Sequence, residues 1–180
     1  MGDILLITGG SRSGKSSYAL RLAEDRLGPR GYVATCPPVD EEMQERIRRH
    51  QATRRQQGWE TIEETINLAD ALADADRFNV LVVDCLTLWV NNLMQGAREK
   101  GRNLTEEEVE ERSRGLISVC EDLDATTIFV TNEVGMGIVP ANAEARRFRD
   151  LAGRCNQTIA QAAREVTLMV CGHPVSVKEK

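Results

Sequence analysis

The sequence predicts an α/β protein with a mostly parallel sheet flanked by helices, and three observations carry that prediction. A short apolar run rich in β-formers, Ile4 to Thr8, stops at Gly9-Gly10 and is followed by a helical pattern of Tyr18, Leu20, Leu22, Ala23 and Leu27. Val80-Leu81-Val82-Val83-Asp84 is continuously apolar until its last residue, as a strand covered on both faces requires. Strand and helix patterns then alternate to the end of the chain, the arrangement that builds parallel sheets with helices on both sides.

In chain order, a helix is expected from Ser16 to about Leu27, ended by Gly28-Pro29. Gly31 to Thr35 reads as the second strand, closed by Cys36 and the Pro37-Pro38 break. A helix with an acidic start at Asp40, Glu41 and Glu42 should run to about Gln57, stopped by Gly58. Trp59 to Ile62 reads as a brief extended piece and Asn67 to Ala75 as a short helix. Another helix is expected over Leu86 to Met94. Gln95 to Asn103, with two glycines and mixed charge, reads as a mobile surface loop. Thr105 and Glu108 have the spacing of a capping box, which starts a helix running to about Leu123. Thr126 to Thr131 is a strand and Asn132 to Pro140 a glycine-containing loop. Asn142 can cap a long helix over about Ala143 to Ala163, and Val166 to Cys171 is the last strand. His173, in Gly-His-Pro, reads as a surface turn residue.

The 180 residues are the size of one domain, 1–180, with a proper core. A net charge of −5 argues against general nucleic-acid binding, which favours a basic face. The five cysteines are scattered without a C-x-x-C pair, as expected for reduced thiols in a cytoplasmic protein. The chain enters its first strand at once, which leaves no room for a signal peptide, and no apolar run is long enough for membrane insertion.

Gly9, Gly14, Lys15 and Ser16 fit the phosphate-loop pattern G-x-x-x-x-G-K-[ST] without a mismatch, between a strand and a helix as the pattern demands. The glycines let successive backbone N–H groups of Gly10, Ser11, Arg12 and Ser13 turn inward around phosphate oxygens. Lys15 brings positive charge to the β- and γ-phosphates, and the Ser16 hydroxyl is placed to ligate Mg²⁺. The pattern predicts a bound nucleoside triphosphate. Asp84, at the end of its apolar strand, fits the second carboxylate that orients Mg²⁺, or else caps the helix that follows.

Five arginines lie within Arg46 to Arg55, around His50, one of only two histidines. On a helix Met43, Ile47 and His50 share a stripe at i, i+4 and i+7, which turns the imidazole toward the protein. Two readings stay open. The segment is a solvated basic helix with a histidine at its boundary, or it holds a neutral imidazole among phosphate-binding guanidinium groups, able to attack phosphorus. Glu133 stands at a strand's C-terminal end, where a carboxylate can bind metal or accept a hydroxyl proton; a surface role is equally compatible.

Taken together, these residues resemble the bifunctional adenosylcobinamide kinase / adenosylcobinamide-phosphate guanylyltransferase family of cobalamin nucleotide-loop assembly. The matching stretches are Thr8 to Ser16, Tyr32 to Thr35, Asp40 to Met43 with Arg46, Ile47 and His50, and Trp59 with Glu63. The most specific is Thr131 to Pro140, continuing through Arg147-Phe148-Arg149-Asp150 to Gly153-Arg154 and Asn156-Gln157. The resemblance implies a RecA-like phosphate-loop fold, often assembled as a homotrimer. It implies phosphorylation of a corrinoid, adenosylcobinamide, by ATP or GTP, then transfer of GMP from GTP to the phosphate just made. It also implies that His50 is guanylylated, and that the nucleotide contacts include Gly9 to Ser16, Ala34, Thr35, Cys36, Gln51, Ala52, Thr53, Arg54, Glu63 and Asp84. From the phosphate loop alone, a kinase acting on another hydroxyl and a nucleotide-dependent switch also stay open. Against the switch, Asn132-Glu133 has a carboxylate where the guanine-reading N-K-x-D pattern has its lysine.

Overall fold

The computed structural model describes residues 2–37 and 41–179, without the side chains of Glu42, Met43, Arg46 and His50. Seven strands form one sheet: β1 (Asp3–Gly9), β2 (Arg30–Ala34), β3 (Trp59–Glu63), β4 (Val80–Asp84), β5 (Thr126–Val130), β6 (Glu165–Val170) and β7 (His173–Lys178). Six helices connect them: α1 (Lys15–Glu24), α2 (Glu41–Gln56), α3 (Leu68–Ala73), α4 (Leu86–Glu99), α5 (Glu106–Asp122) and α6 (Ala143–Ala162). The strand order is β3-β2-β4-β5-β1-β6-β7, parallel throughout except for β7. The expected mostly parallel α/β sheet is what the chain forms.

Side chains alternate across a strand, and here each face has its own core. Ile4, Leu6, Leu81, Val83 and Phe129 pack against Leu72, Trp89, Leu116 and Ile159 of α3 to α6. Leu5, Ile7, Val82, Ile128 and Val130 pack against Ala19 and Ala23 of α1. The small residues of α1 let it lie close to the sheet, so the phosphate loop feeding it stays tight against the strand ends. The core is deep enough to hide Trp89, which is 2 % exposed and donates its Nε1–H to the Ile66 carbonyl at 2.8 Å.

Several expectations need correction. The stretch expected to be a mobile loop, Gln95 to Asn103, is helical to Glu99, because Ala97 extends the buried stripe of Leu86, Val90 and Leu93 into the core. That packing outweighs the roughly 1 kcal/mol by which Gly96 disfavours a helix. Helix α1 stops at Glu24, before Leu27, which is almost fully exposed. His173 is not a turn residue: Cys171 and Gly172, at φ 50° and 84°, make the two-residue turn, and His173 opens β7. Positive φ at both turn positions is the hairpin geometry that matches strand twist, and Pro174 is tolerated on this edge strand. The capping box of Thr105 and Glu108 and the Asn142 cap form as expected. Pro38 and Asp40, used above as a break and a helix start, lie outside the described residues.

Candidate active site

The phosphate loop leaves the C-terminal end of β1 and turns back into α1. Gly9 has φ 148° and Gly14 φ 94°, both in the region that favours glycine. Gly9 is further restricted by crowding, since a Cβ there would lie 2.6 Å from the Met169 carbonyl oxygen and 2.9 Å from Ser13 Oγ. Inside the loop Ser13 N–H donates to the Gly10 carbonyl at 3.3 Å. Gly172 N–H, from the β6–β7 turn, donates to the Ser13 carbonyl at 3.0 Å, so the hairpin buttresses the loop. Gly10, Ser11 and Arg12 face solvent while Ser13 is buried.

Lys15 is buried and its ammonium reaches back across the loop, donating to the Gly10 carbonyl at 2.6 Å and to Ser13 Oγ at 3.5 Å. Burial lowers its pKa from the ordinary lysine value, while the nearby thiol of Cys85 and the carboxylate of Asp84 pull the other way. Ser16 is half-buried in the first turn of α1.

Asp84 ends β4, and the cap position of α4 belongs to Cys85. The helix-cap alternative for Asp84 is thereby removed. Its carboxylate instead accepts the Tyr32 hydroxyl at 2.8 Å. Burial, the Asp84 charge and that hydrogen bond push the Tyr32 phenol above its ordinary range, and Arg54 only partly opposes them. The Arg54 guanidinium stacks 3.9 Å from the Tyr32 ring centroid, with its Nε donating to Thr61 Oγ1 at 3.3 Å. A continuous chain of contacts thus runs from α2 and β3 through β2 to Asp84 beside Lys15.

Thr35 is fully buried, and its hydroxyl donates to the Cys85 carbonyl at 2.8 Å and accepts Cys85 N–H at 2.7 Å. Its side chain therefore ties the ends of β2 and β4 together. Asn92, buried on α4, donates to the carbonyls of Thr35 and Thr65 at 2.9 and 3.1 Å. Ala34 and Cys36, on either side of Thr35, are half-buried. Burial pushes the Cys85 thiol up to about 11, and those of Cys120 and Cys155 to about 12 and 11, so the three are unreactive packing groups.

The remaining predicted nucleotide contacts gather at the other end of the sheet edge. Gln51 donates its amide to the Glu63 carboxylate, which joins α2 to the end of β3. Ala52 is exposed, and the Thr53 hydroxyl donates to the Arg49 carbonyl at 3.0 Å. Gln51, Ala52 and Glu63 line an open cavity of about 940 Å³ between α2 and β3, with Arg48 and Arg55 on its rim. His50 lies in α2 beside Gln51, and its side chain is outside the described residues. Four inter-strand steps separate β3 from β1, roughly 19 Å at about 4.8 Å each. The predicted contacts therefore form two groups, with Tyr32 and Asp84 between them.

On the other side of the phosphate loop, Glu133 N–H donates to the Gly9 carbonyl at 3.0 Å, and Glu133 Oε1 accepts Gly135 N–H at 2.6 Å. A polar lattice fixes this loop: Thr87 and Thr131 hydroxyls lie 3.1 Å apart, Asn132 N–H donates to Thr87 Oγ1 at 2.6 Å, and the Thr131 hydroxyl donates to Asn156 Oδ1 at 2.6 Å. The sequence reading gave Tyr32 only as the first residue of a matching stretch, with no role at the site, and did not single out Thr87 or Asn92. A lone tyrosine in a strand looks like core, although Asn92, an amide amid the Trp89–Leu93 apolar stripe, is a signal that could have been used.

Comparison with known proteins identifies the family and the fold. A profile of the family described as cobinamide kinase / cobinamide phosphate guanyltransferase matches residues 5–177. The bifunctional adenosylcobalamin biosynthesis protein CobU of Escherichia coli K12 is 39 % identical over 182 residues, covering 97 % of this chain and 99 % of that protein. CobP of Pseudomonas aeruginosa, which carries the same bifunctional description, is 38 % identical, covering 96 % of each. Among solved structures, the RadB recombinase (TM-score 0.53, 15 % identity, 93 % of this chain and 74 % of that one) shares the fold. So does an ATPase of a bacterial type III secretion system (TM-score 0.56, 11 % identity, 93 % of this chain and 51 % of that one). The fold is thus RecA-like. With the profile spanning nearly every element of the sheet, the chain belongs to the cobinamide kinase / cobinamide phosphate guanyltransferase family.

Proposed function

We propose that this member of a family of bifunctional enzymes phosphorylates the hydroxyl of adenosylcobinamide with ATP or GTP and then moves GMP from a second GTP onto that phosphate, by way of His50. The observation that carries the reading is the match over residues 5–177, which includes an unbroken phosphate loop and the basic helix around His50. In the kinase step the acceptor oxygen bonds to the γ-phosphorus as its hydroxyl proton passes to solvent, and the bond to the β-phosphate oxygen breaks, releasing the nucleoside diphosphate. The loop's N–H groups and Lys15 hold the charge that develops on the transferred group. In the second reaction a neutral imidazole nitrogen of His50 bonds to the α-phosphorus of GTP and pyrophosphate leaves with the electron pair. The corrinoid phosphate oxygen then attacks the same phosphorus, the P–N bond breaks, and adenosylcobinamide-GDP forms.

Ser16 and Asp84 fit a Mg²⁺ site of the usual kind, which needs only one or two protein oxygens beside phosphates and water. The Tyr32 hydroxyl keeps one carboxylate oxygen of Asp84 directed inward. The ion, when bound, neutralises phosphate charge. Asp84→Asn keeps the hydrogen bond to Tyr32 but loses the charge, so it should raise the Mg²⁺ concentration needed for half-maximal activity and cut turnover, with no change in circular dichroism. An unchanged Mg²⁺ titration would remove Asp84 from the site. A homotrimer and a cytoplasmic location belong to the same reading and rest on family membership. Across the described residues no helix is long and apolar enough to cross a membrane.

Incubation with labelled GTP tests the whole reading. α-Labelled GTP should leave label on the protein that is lost in acid and kept in base, as a P–N bond to imidazole behaves, and γ-labelled GTP should leave none. Turnover of cobinamide without any α-label would keep the kinase and discard the covalent transfer.

A further inference from the structure

The loop between β5 and α6 exposes apolar side chains beside the phosphate loop. Met136 is 80 % exposed, Ile138 96 % and Val139 58 %. Single exposed hydrophobics need no explanation, but three in four residues form a patch of the kind that marks a binding site. Both ends of the segment are tied down. At one end Asn156 Nδ2 donates to the Asn132 carbonyl at 3.2 Å, and Glu133 N–H holds the Gly9 carbonyl. At the other, Arg146 Nη1 donates to the carbonyls of Pro140 and Ala141 at 2.9 and 2.6 Å. The stem, at Glu133, is one hydrogen bond from the first glycine of the phosphate loop, and the exposed apex follows three to six residues further along the chain. From Val134 to Ala141 the segment carries no charged side chain, so it offers nothing to a phosphate.

Resting on the functional reading above, we propose that Met136, Ile138 and Val139 are the seat of the corrinoid acceptor in both reactions. The two substrates differ in chemistry. A nucleoside triphosphate is anionic and suits the loop amides, Lys15 and arginines. Cobinamide is a broad macrocycle with methyl-rich edges and amide arms, one of which ends in the hydroxyl to be phosphorylated. An apolar ledge on a segment whose stem is bonded to Gly9 holds the ring edge and leaves that arm free to reach the γ-phosphate. The acceptor of the second reaction is the product of the first, so one ledge serves both.

The test compares the double variant Met136→Ser/Ile138→Ser with Leu27→Ser, which removes an equally exposed apolar side chain outside this segment. The Michaelis constant for cobinamide is measured at saturating ATP, with GTP affinity by equilibrium binding, melting temperature and sedimentation velocity alongside. The double variant should raise that constant at least tenfold, about 1.4 kcal/mol, and Leu27→Ser should leave it at the wild-type value. GTP affinity, melting temperature and sedimentation should not move. A constant unchanged in the double variant overturns the proposal. So does a rise accompanied by altered sedimentation, because the apex would then be a contact between copies of the chain. Failure of the wild-type protein to phosphorylate cobinamide is a separate result that overturns the functional reading itself.

Discussion

Lys15→Ala is expected to lower cobinamide phosphorylation and guanylyl transfer together, each by about 10²- to 10³-fold, the usual cost of losing one preorganised donor aimed at developing charge. Lys15 is the buried cation of the phosphate loop, and its ammonium already lies over the Gly10 carbonyl. Stability should move differently. Because burial lowers the Lys15 pKa, the unfolded chain binds more protons than the folded one between the two values, so this residue penalises folding at neutral pH and relieves it as pH rises. Lys15→Ala should therefore melt no lower than wild type at pH 7, which separates lost catalysis from lost fold. The wild-type protein should also lose nucleotide affinity at a lower alkaline pH than an ordinary lysine, near ~10.4, would dictate. If guanylyl transfer survives in Lys15→Ala while phosphorylation falls, GTP has a second seat. The 940 Å³ cavity between α2 and β3, roughly 19 Å along the sheet edge, is then the place to look.

His50→Ala is expected to abolish the acid-labile α-label and guanylyl transfer while sparing phosphorylation, which needs no covalent intermediate. His50 sits in α2 next to Gln51, whose amide engages Glu63, and one turn before Arg54, whose guanidinium stacks on Tyr32. Both contacts join α2 to the sheet independently of the imidazole, so the substitution should leave the helix in place. Only a neutral imidazole attacks phosphorus, and histidine ordinarily titrates near ~6.5, so wild-type labelling should decline as pH falls through its titration. Label that persists in His50→Ala, or that maps to His173, would assign the covalent step elsewhere.

The parts legible in the sequence are those governed by neighbours along the chain. The four apolar residues before Asp84 mark a doubly covered strand, and Thr105 with Glu108 marks a helix start. Gly9, Gly14 and Lys15 mark the phosphate loop because its geometry depends on local backbone angles and one side chain. Where a distant packing partner decided the outcome, the reading failed. Gln95 to Glu99 carries the composition of a loop, yet Ala97 finds the core and keeps the helix going. His173 is a different case, a local one: the tight turn closes at Cys171-Gly172, and His173 already pairs with Val170.

The candidate site divides along the same line. By itself the sequence determined the chemistry available: a triphosphate-binding loop, a carboxylate at a strand end and a histidine among arginines. Each of these is written in residues close together in the chain. Only the tertiary structure decided how they are joined. Tyr32 comes to lie between Arg54 and Asp84 because β2 pairs with β4 on one side and β3 on the other. Glu133 meets Gly9 because β5 pairs with β1, which sets the start of the 132–140 segment beside the phosphate loop. Strand order follows from which apolar faces fit together across the whole sheet, and no local window of the sequence contains that information.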